Sequence, residues 1–202
     1  VSKITKISPA VKTEGRYNVF IDGKFSFSLD ELQIVNSGLK TGQELSDVEL
    51  VDYKSESDFG KNYIRAVDLI SRRQRSEREI RDYAFRKQWT KENLEKVIER
   101  LFERGYLNDG KFAENFVRSR ANLRNFSIRK MKVELKKKGI SDTAIEKVLS
   151  EDENFDELVS LRNLIAKKHN RYDDEQKLIA YLARQGFSYD DIRSAINSDD
   201  SL

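Results

Sequence analysis

Apolar residues recur along this chain with two different periods. In "YNVFIDGKFSFSL" they alternate: Tyr17, Val19 and Ile21, then Phe25, Phe27 and Leu29. A period of two predicts strands, and Asp22-Gly23 between them predicts a hairpin turn. Two registers compete. A two-residue loop pairs Phe20 with Phe25 and leaves Val19 opposite Ser26. A three-residue loop ending at Lys24 pairs Val19 with Phe27 and joins the apolar rows. The pattern leaves both open. "KITKI" adds a candidate edge strand. Residues 30–37 read as a short helix anchored by Leu32, Ile34 and Val35, and "SGLKTGQEL" as turns. Ser46-x-x-Glu49 has capping-box spacing and opens another helix. So small a sheet buries little by itself, so it is expected to dock on helices or to hang beside them as a mobile module.

The rest of the chain carries the helical period, and it repeats. Three segments align without gaps: "SEREIRDYAFRKQWTKENLEKVI" (76–98), "SIRKMKVELKKKGISDTAIEKVL" (127–149) and "DEQKLIAYLARQGFSYDDIRSAI" (174–196). Trp89, Ile140 and Phe187 coincide, each followed by a capping residue, Thr90, Ser141 or Ser188. Leu94, Ile145 and Ile192 form the next column. Val97, Val148 and Ala195 follow, then Ile98, Leu149 and Ile196. Gly139 and Gly186 end their helices, where a left-handed residue costs little. Gln88 takes that place in the first segment, so its turn is expected to differ.

Each segment is preceded by one more helical pattern. Tyr63, Val67 and Ile70 share a face in the first, Phe112, Phe116 and Val117 in the second, and Leu158, Leu161 and Ile165 in the third. Ser76-x-x-Glu79 forms a capping box and Ser188-x-x-Asp191 a weaker one. Asp109 is placed to cap the helix that carries Phe112. The fold class is therefore mainly α: tandem three-helix modules forming an elongated curved rod, after a small N-terminal segment with a β-hairpin. The divisions are 1–57, 58–107, 108–153 and 154–202.

Composition narrows the chemistry. Of 202 residues, 38 % are apolar and 36 % charged, which fits a thin packed structure better than disorder. There is no cysteine, so disulfides, thiolate chemistry and zinc–cysteine sites are excluded. No apolar run approaches the roughly 20 residues that span a bilayer. The cytoplasm is the expected compartment.

The net charge of +3 hides a polar distribution. Arg118, Arg120, Arg124, Arg129, Lys130, Lys132, Lys136, Lys137 and Lys138 lie in one stretch opposed only by Glu134. A second basic stretch runs from Arg65 to Lys87, and it includes the cluster Arg72, Arg73 and Arg75. Acid gathers in "EDENFDE" and near "NSDDSL". Two readings compete. One is a solvated helix face with cations near helix C-termini. The other is a surface for an anionic partner, nucleic acid or an acidic protein groove, held mainly through backbone phosphates. Catalysis has little support. His169 is the only histidine and reads as a surface helix-end residue. Tyr106 reads as a helix-end aromatic packed beside Leu107. There is no Walker lysine motif, no nucleophile elbow and no carboxylate pair at two-metal spacing. No cofactor is implied.

"RRQRSEREI", "VIERLFERGYLNDGKFAENFVRSR" and "KVELKKKGI" together resemble the RecX family of regulatory proteins, over roughly residues 60–196. The N-terminal hairpin resembles a segment found in many members from Gram-positive bacteria. The resemblance implies tandem three-helix modules and a non-enzymatic role. It implies binding to the RecA filament on single-stranded DNA, in its helical groove, with suppression of ATPase and strand exchange. Recombination and the SOS response would thereby be restrained. Arg72, Arg73 and Arg75 match the arginine-rich motif around Ser76, and Arg118 and Arg120 belong to a second motif. With Arg124, Arg129, Lys130, Lys132, Lys136 and Lys137 they are the expected RecA- and DNA-contacting residues. Tyr106, Leu107, Phe112 and Trp89 are expected to hold modules together. A monomer is the expected state. The alternative is a general single- or double-stranded nucleic-acid-binding module without a recombinase partner.

Overall fold

The computed structural model describes residues 2–11, 13–151, 156–172 and 174–199, with side chains at all of these except 121–124, 151, 198 and 199. The hairpin comprises β2 (Arg16–Ile21) and β3 (Lys24–Asp30). Asp22 and Gly23 both take positive φ, 49° and 80°, the backbone of a two-residue hairpin turn that matches strand twist. Phe20 stands opposite Phe25, yet Val19 stands opposite Phe27. Both competing pairings are therefore present. The short loop sets the nearest pairs, and a bulge that skips Ser26 brings the apolar rows back together. Val19, Phe27 and Leu29 are buried as a result, while Phe25 is left exposed.

Strand β1 (Ser2–Pro9) is not at an edge. The sheet order is β3-β2-β1-β4, because Glu44–Leu45 extends as β4 and pairs with Ser2 and Lys3. Helix α1 (Glu31–Ser37) opens on a capping box between Asp30 and Gln33. Its expected anchors are corrected: Ile34 packs on the sheet, whereas Leu32 and Val35, three apart on another side of the helix, face solvent.

Ser46 and Glu49 form the expected box, and it opens one long helix, α2 (Asp47–Arg72). That helix runs unbroken through residues 57 and 58 and serves two cores. Tyr53 stacks on Phe27 at 5.8 Å, and Ser57 Oγ accepts the Ser28 N–H at 3.2 Å, so the sheet docks on it. Further along the helix, Tyr63, Ala66, Val67 and Ile70 pack with α3 (Glu77–Arg86) and α4 (Lys91–Glu103) through Ile80, Val97, Ile98 and Leu101. Two compact units result. One contains residues 1–74 and 80–107, the other residues 75–79 and 108–202.

The second unit holds two more three-helix cores. Helices α5 (Asp109–Arg124), α6 (Ile128–Lys137) and α7 (Asp142–Glu151) enclose Phe112, Val117, Met131, Leu135, Ile140, Ile145 and Val148. Helices α8 (Glu157–Lys168), α9 (Glu175–Arg184) and α10 (Tyr189–Asp199) enclose Leu161, Leu164, Ile165, Leu178, Leu182, Phe187 and Ile192. The repeat columns thus line three cores, with Trp89, Leu94 and Leu149 only partly buried. Leu158 departs from expectation: it lies in the first turn of α8, is 43 % exposed, and Leu164 takes its place in the core.

Thr90, Ser141 and Ser188 each accept a backbone N–H three residues on, as expected of caps. Gln88 takes φ 56°, the left-handed region that Gly139 and Gly186 occupy, so the first module keeps the turn despite the side chain. Asp109 is not the cap of α5. Asn108 fills that place, its side chain accepting the Lys111 N–H at 2.9 Å. Asp109 becomes the first helical residue instead, and its carboxylate reaches the Glu77 N–H.

Candidate nucleic-acid interface

Helix α6 organises most of the basic band. Ser127 caps it and is fully buried, accepting the Lys130 N–H at 3.1 Å and donating to the Gln185 carbonyl at 2.8 Å. Met131 and Leu135 bury one face. At helical spacing this turns Arg129, Lys132 and Lys136 to another face, where they line a groove of about 560 Å³.

Acids from elsewhere in the fold line the same groove: Asp142, Glu146, Glu157 and Asp191. Lys132 pairs with Glu146 at 2.6 Å and Lys136 with Asp142 at 2.8 Å. Lys137 pairs with Glu134 at 3.2 Å, and Lys138 with Glu79 at 2.6 Å. Lys130 bonds the Gln185 side chain and lies 4.1 Å from the centre of the Phe126 ring. Arg120 stacks on Phe116 at 4.8 Å and on Phe126 at 5.7 Å. The run that reads as nearly unopposed in sequence is therefore largely paired in space.

Two of the expected arginines differ from the rest. Arg118 on α5 and Arg129 on α6 are exposed, and neither has a hydrogen-bond or ion-pair partner among the described residues. Their forked donors are available for phosphate or carboxylate. Arg124 ends α5, with its side chain outside the described residues. Arg72 pairs with Asp68 at 2.8 Å, and Arg73 donates to the Gln74 carbonyl at 3.0 Å. Both belong to the first unit; Arg75 and the band from Arg118 onward belong to the second.

The pairing had a signal in the repeat. Lys132–Glu146 in the second module falls on the same columns as Arg81–Glu95 in the first, where a forked contact spans 2.6 and 2.9 Å. That contact holds the Glu95 carboxyl below its usual range. Opposite charges at matched positions of a helical hairpin mark an ion pair between its two arms. The third module keeps neither charge, with Ile179 and Arg193 in those columns.

The residues expected to hold modules together are mostly buried, each within a single module's core: Leu107 and the partly buried Trp89, edge-on to Tyr83 at 5.8 Å, in the first, and Phe112 in the second. Tyr106 is the exception, at 45 % exposed. His169 is exposed at the end of α8. Among the described residues no cluster of histidines and acids is placed to hold a metal ion, and no helix is long and apolar enough to cross a membrane.

Four family models match the chain in order. They are the RecX regulatory protein N-terminal domain at residues 2–46 and the first, second and third RecX three-helix domains at 63–101, 108–149 and 156–196. The regulatory protein RecX of Bacillus velezensis is 34 % identical over 199 residues, spanning 96 % of this chain and 76 % of its own. That of Bacillus subtilis is 33 % identical over 200 residues, with the same coverage. A crystal structure of a regulatory protein RecX shares the fold, with a TM-score of 0.73, 24 % identity, and coverage of 98 % of this chain and 100 % of that one. The RecX structure from Lactobacillus salivarius matches with a TM-score of 0.60 and 28 % identity, over 72 % of this chain and 98 % of its own. Three repeated three-helix modules, a docked hairpin and matches along nearly the whole length agree, and the chain belongs to the RecX family of regulatory proteins.

Proposed function

We propose that this protein binds the RecA filament on single-stranded DNA and inhibits its ATPase and strand-exchange activities. Recombination and the SOS response are thereby restrained. The observation that carries the reading is family membership along the whole chain, from the N-terminal domain through all three helical domains. The protein acts as a monomer in the cytoplasm, without a cofactor and without catalysing a reaction of its own. Serial modules suit such a partner. A filament repeats its subunits, and modest contacts made by tandem modules to successive subunits act together and raise avidity.

Within that reading, Arg118 and Arg129 are the leading contact residues, because both are exposed and have no partner among the described residues. Arg72, Arg73, Arg75, Arg120, Arg124, Lys130, Lys132, Lys136 and Lys137 supply the surrounding positive field. Titrating the protein into RecA hydrolysing ATP on single-stranded DNA tests the proposal. A progressive loss of ATPase is expected. Undiminished hydrolysis at excess folded protein overturns it.

The same two arginines favour a second reading, a plain nucleic-acid-binding module without a recombinase partner. That reading requires tight binding to DNA alone, weakening steeply with salt as phosphate-bound counterions return. A binding titration at two salt concentrations, without RecA, separates the two.

A further inference from the structure

The first unit buries a cation that the reading above does not use. Arg16, on β2, is only 6 % exposed. Its Nε and Nη2 donate to Ser28 on β3, Nη2 reaching both the hydroxyl and the carbonyl. Nη1 has no hydrogen-bond partner and lies near Gly60 of α2, where an added Cβ would come within 3.2 Å of it. No carboxylate lies within ion-pair distance of the guanidinium among the described residues; Asp30 acts on it only at longer range. Burial pulls its pKa down from the usual arginine value. A buried charge without a counterion costs several kcal/mol, so such groups are normally paired.

The surroundings add charge of the same sign. Arg16 lines a surface cavity of about 500 Å³ together with Lys61 and Arg65 of α2, Asn18 and Ser28 of the sheet, and Ile64. Lys61 touches Asp58 only at 3.4 Å, and Arg65 reaches Asn62 only at 3.4 Å. Both contacts are long for charged groups, and both are local to α2. Among the described residues no acid lines the cavity. Lys61, Arg65, an amide and a hydroxyl therefore converge on a space beside the Arg16 charge, whose Nη1 is itself buried, and no acid lining that space among the described residues compensates them. Convergent donors of this kind suit a tetrahedral oxyanion. The cavity is larger than a bare phosphate needs, and Ile64, 48 % exposed, offers an apolar wall for the group that carries it.

We propose that the cavity framed by Arg16, Lys61 and Arg65 is a phosphate-ester site, taking the phosphate of a nucleotide, either free or within a polynucleotide. It lies in the first unit, separate in sequence from the basic band, and it does not depend on RecA. The full-length protein is titrated at low, matched ionic strength with inorganic phosphate, thymidine monophosphate and an oligothymidylate. Melting temperature and the Arg16 Nε–H resonance are followed against a sodium chloride control. Phosphate is expected to raise the melting temperature beyond the control and to move the Arg16 resonance. Thymidine monophosphate is expected to do so at lower concentration. An oligothymidylate acting at lower concentration per phosphate assigns the site to polynucleotide, and equal potency assigns it to the free nucleotide. Arg16 replacements risk the fold, so Lys61→Glu with Arg65→Glu, the first half-buried and the second exposed, provides the variant, expected to weaken binding about tenfold or more. No protection beyond chloride and an unmoved Arg16 resonance overturn the proposal. So does full phosphate affinity in the charge-reversed variant. Because RecA is absent from the assay, this outcome is independent of whether the protein inhibits the recombinase.

Discussion

The Asp109 carboxylate accepts the Glu77 backbone N–H at 2.9 Å, and Glu157 accepts the Ile128 N–H at 2.9 Å in the same way. In each case the first residue of one module's leading helix satisfies the first N–H of the preceding module's second helix. Helix N-termini leave four such donors without intrahelical partners, and a carboxylate there also meets the positive end of the helix dipole. The contact is thus a repeated joint rather than an isolated hydrogen bond.

Both carboxyls sit in partly buried positions, and desolvation raises their pKa above the ordinary range despite the backbone donor. The folded state then holds protons that the unfolded chain has released. Between the unfolded and folded pKa values, stability should fall as pH rises, since the unfolded state binds fewer protons there. Asp109→Asn and Glu157→Gln keep an accepting oxygen without the charge. They are expected to flatten that pH dependence and to match or exceed the wild type at neutral pH. Asp109→Ala removes the acceptor and is expected to cost about 1 kcal/mol. Urea denaturation between pH 4 and pH 8, a window chosen around roughly the carboxylate range, checks both. A steeper pH dependence in Asp109→Asn would contradict the assignment.

The turn between the second and third helices of each module makes a paired prediction. Gly139 has φ +82°, and a Cβ there would stand 2.7 Å from Arg78 Cβ. Gly139→Ala should therefore lose more than the roughly 1–2 kcal/mol of left-handed strain alone. Gln88, in the matching position of the first module, already bears that strain at φ 56°. Gln88→Gly is expected to stabilise the protein by about 0.5–1 kcal/mol, the difference between relieved strain and added backbone freedom. Thermal denaturation of the two variants should shift in opposite directions.

What could be read in advance depended on whether a contact repeats along the chain. Columns such as Val97, Val148 and Ala195 were legible because each module buries the same face, and all three are buried. The caps were legible for the same reason. Contacts between elements far apart in sequence were not. Asp109 reads locally as a cap, because nothing near it announces the Glu77 N–H at the far end of a preceding hairpin. The hairpin register also needed the whole sheet, since a two-residue turn and continuous apolar rows coexist only through a bulge. Charge was the least legible feature. Counting along the chain sets nine cations against Glu134, whereas folding brings Glu79, Asp142 and Glu146 against three of them.

The matched pairs Arg81–Glu95 and Lys132–Glu146 are partly exposed. Coupling energies for such pairs are small, about 0.2–1 kcal/mol. Double-mutant cycles to Ala at each pair are expected to fall in that range, and the forked arginine pair should give the larger value. Raising salt to about 1 M should abolish most of the difference, because the screening length drops to roughly 3 Å. A coupling several times larger would mean that these pairs, rather than the apolar columns, hold the hairpins together.

The division of the basic band into committed and uncommitted cations predicts an unequal response to charge reversal. Arg118 and Arg129 lack partners among the described residues, so a phosphate or carboxylate meets them without displacing anything. Lys132 and Lys136 carry Glu146 and Asp142 with them, and those acids would repel an arriving polyanion. Arg118→Glu with Arg129→Glu is therefore expected to weaken the proposed binding to the RecA filament by about a hundredfold or more, as loss of two charge-assisted bonds worth roughly 1.5–3 kcal/mol each would dictate. Lys132→Gln with Lys136→Gln should weaken it less. It leaves two uncompensated acids in the groove, so adding Glu146→Gln and Asp142→Asn should restore most of what was lost. Both sets leave the buried faces of α5 and α6 untouched, so circular dichroism should register no loss of helix. Equal losses from both sets would mean that the partner reads the band as a diffuse field. A larger loss from the lysine set would mean that binding opens the ion pairs and uses the lysines directly.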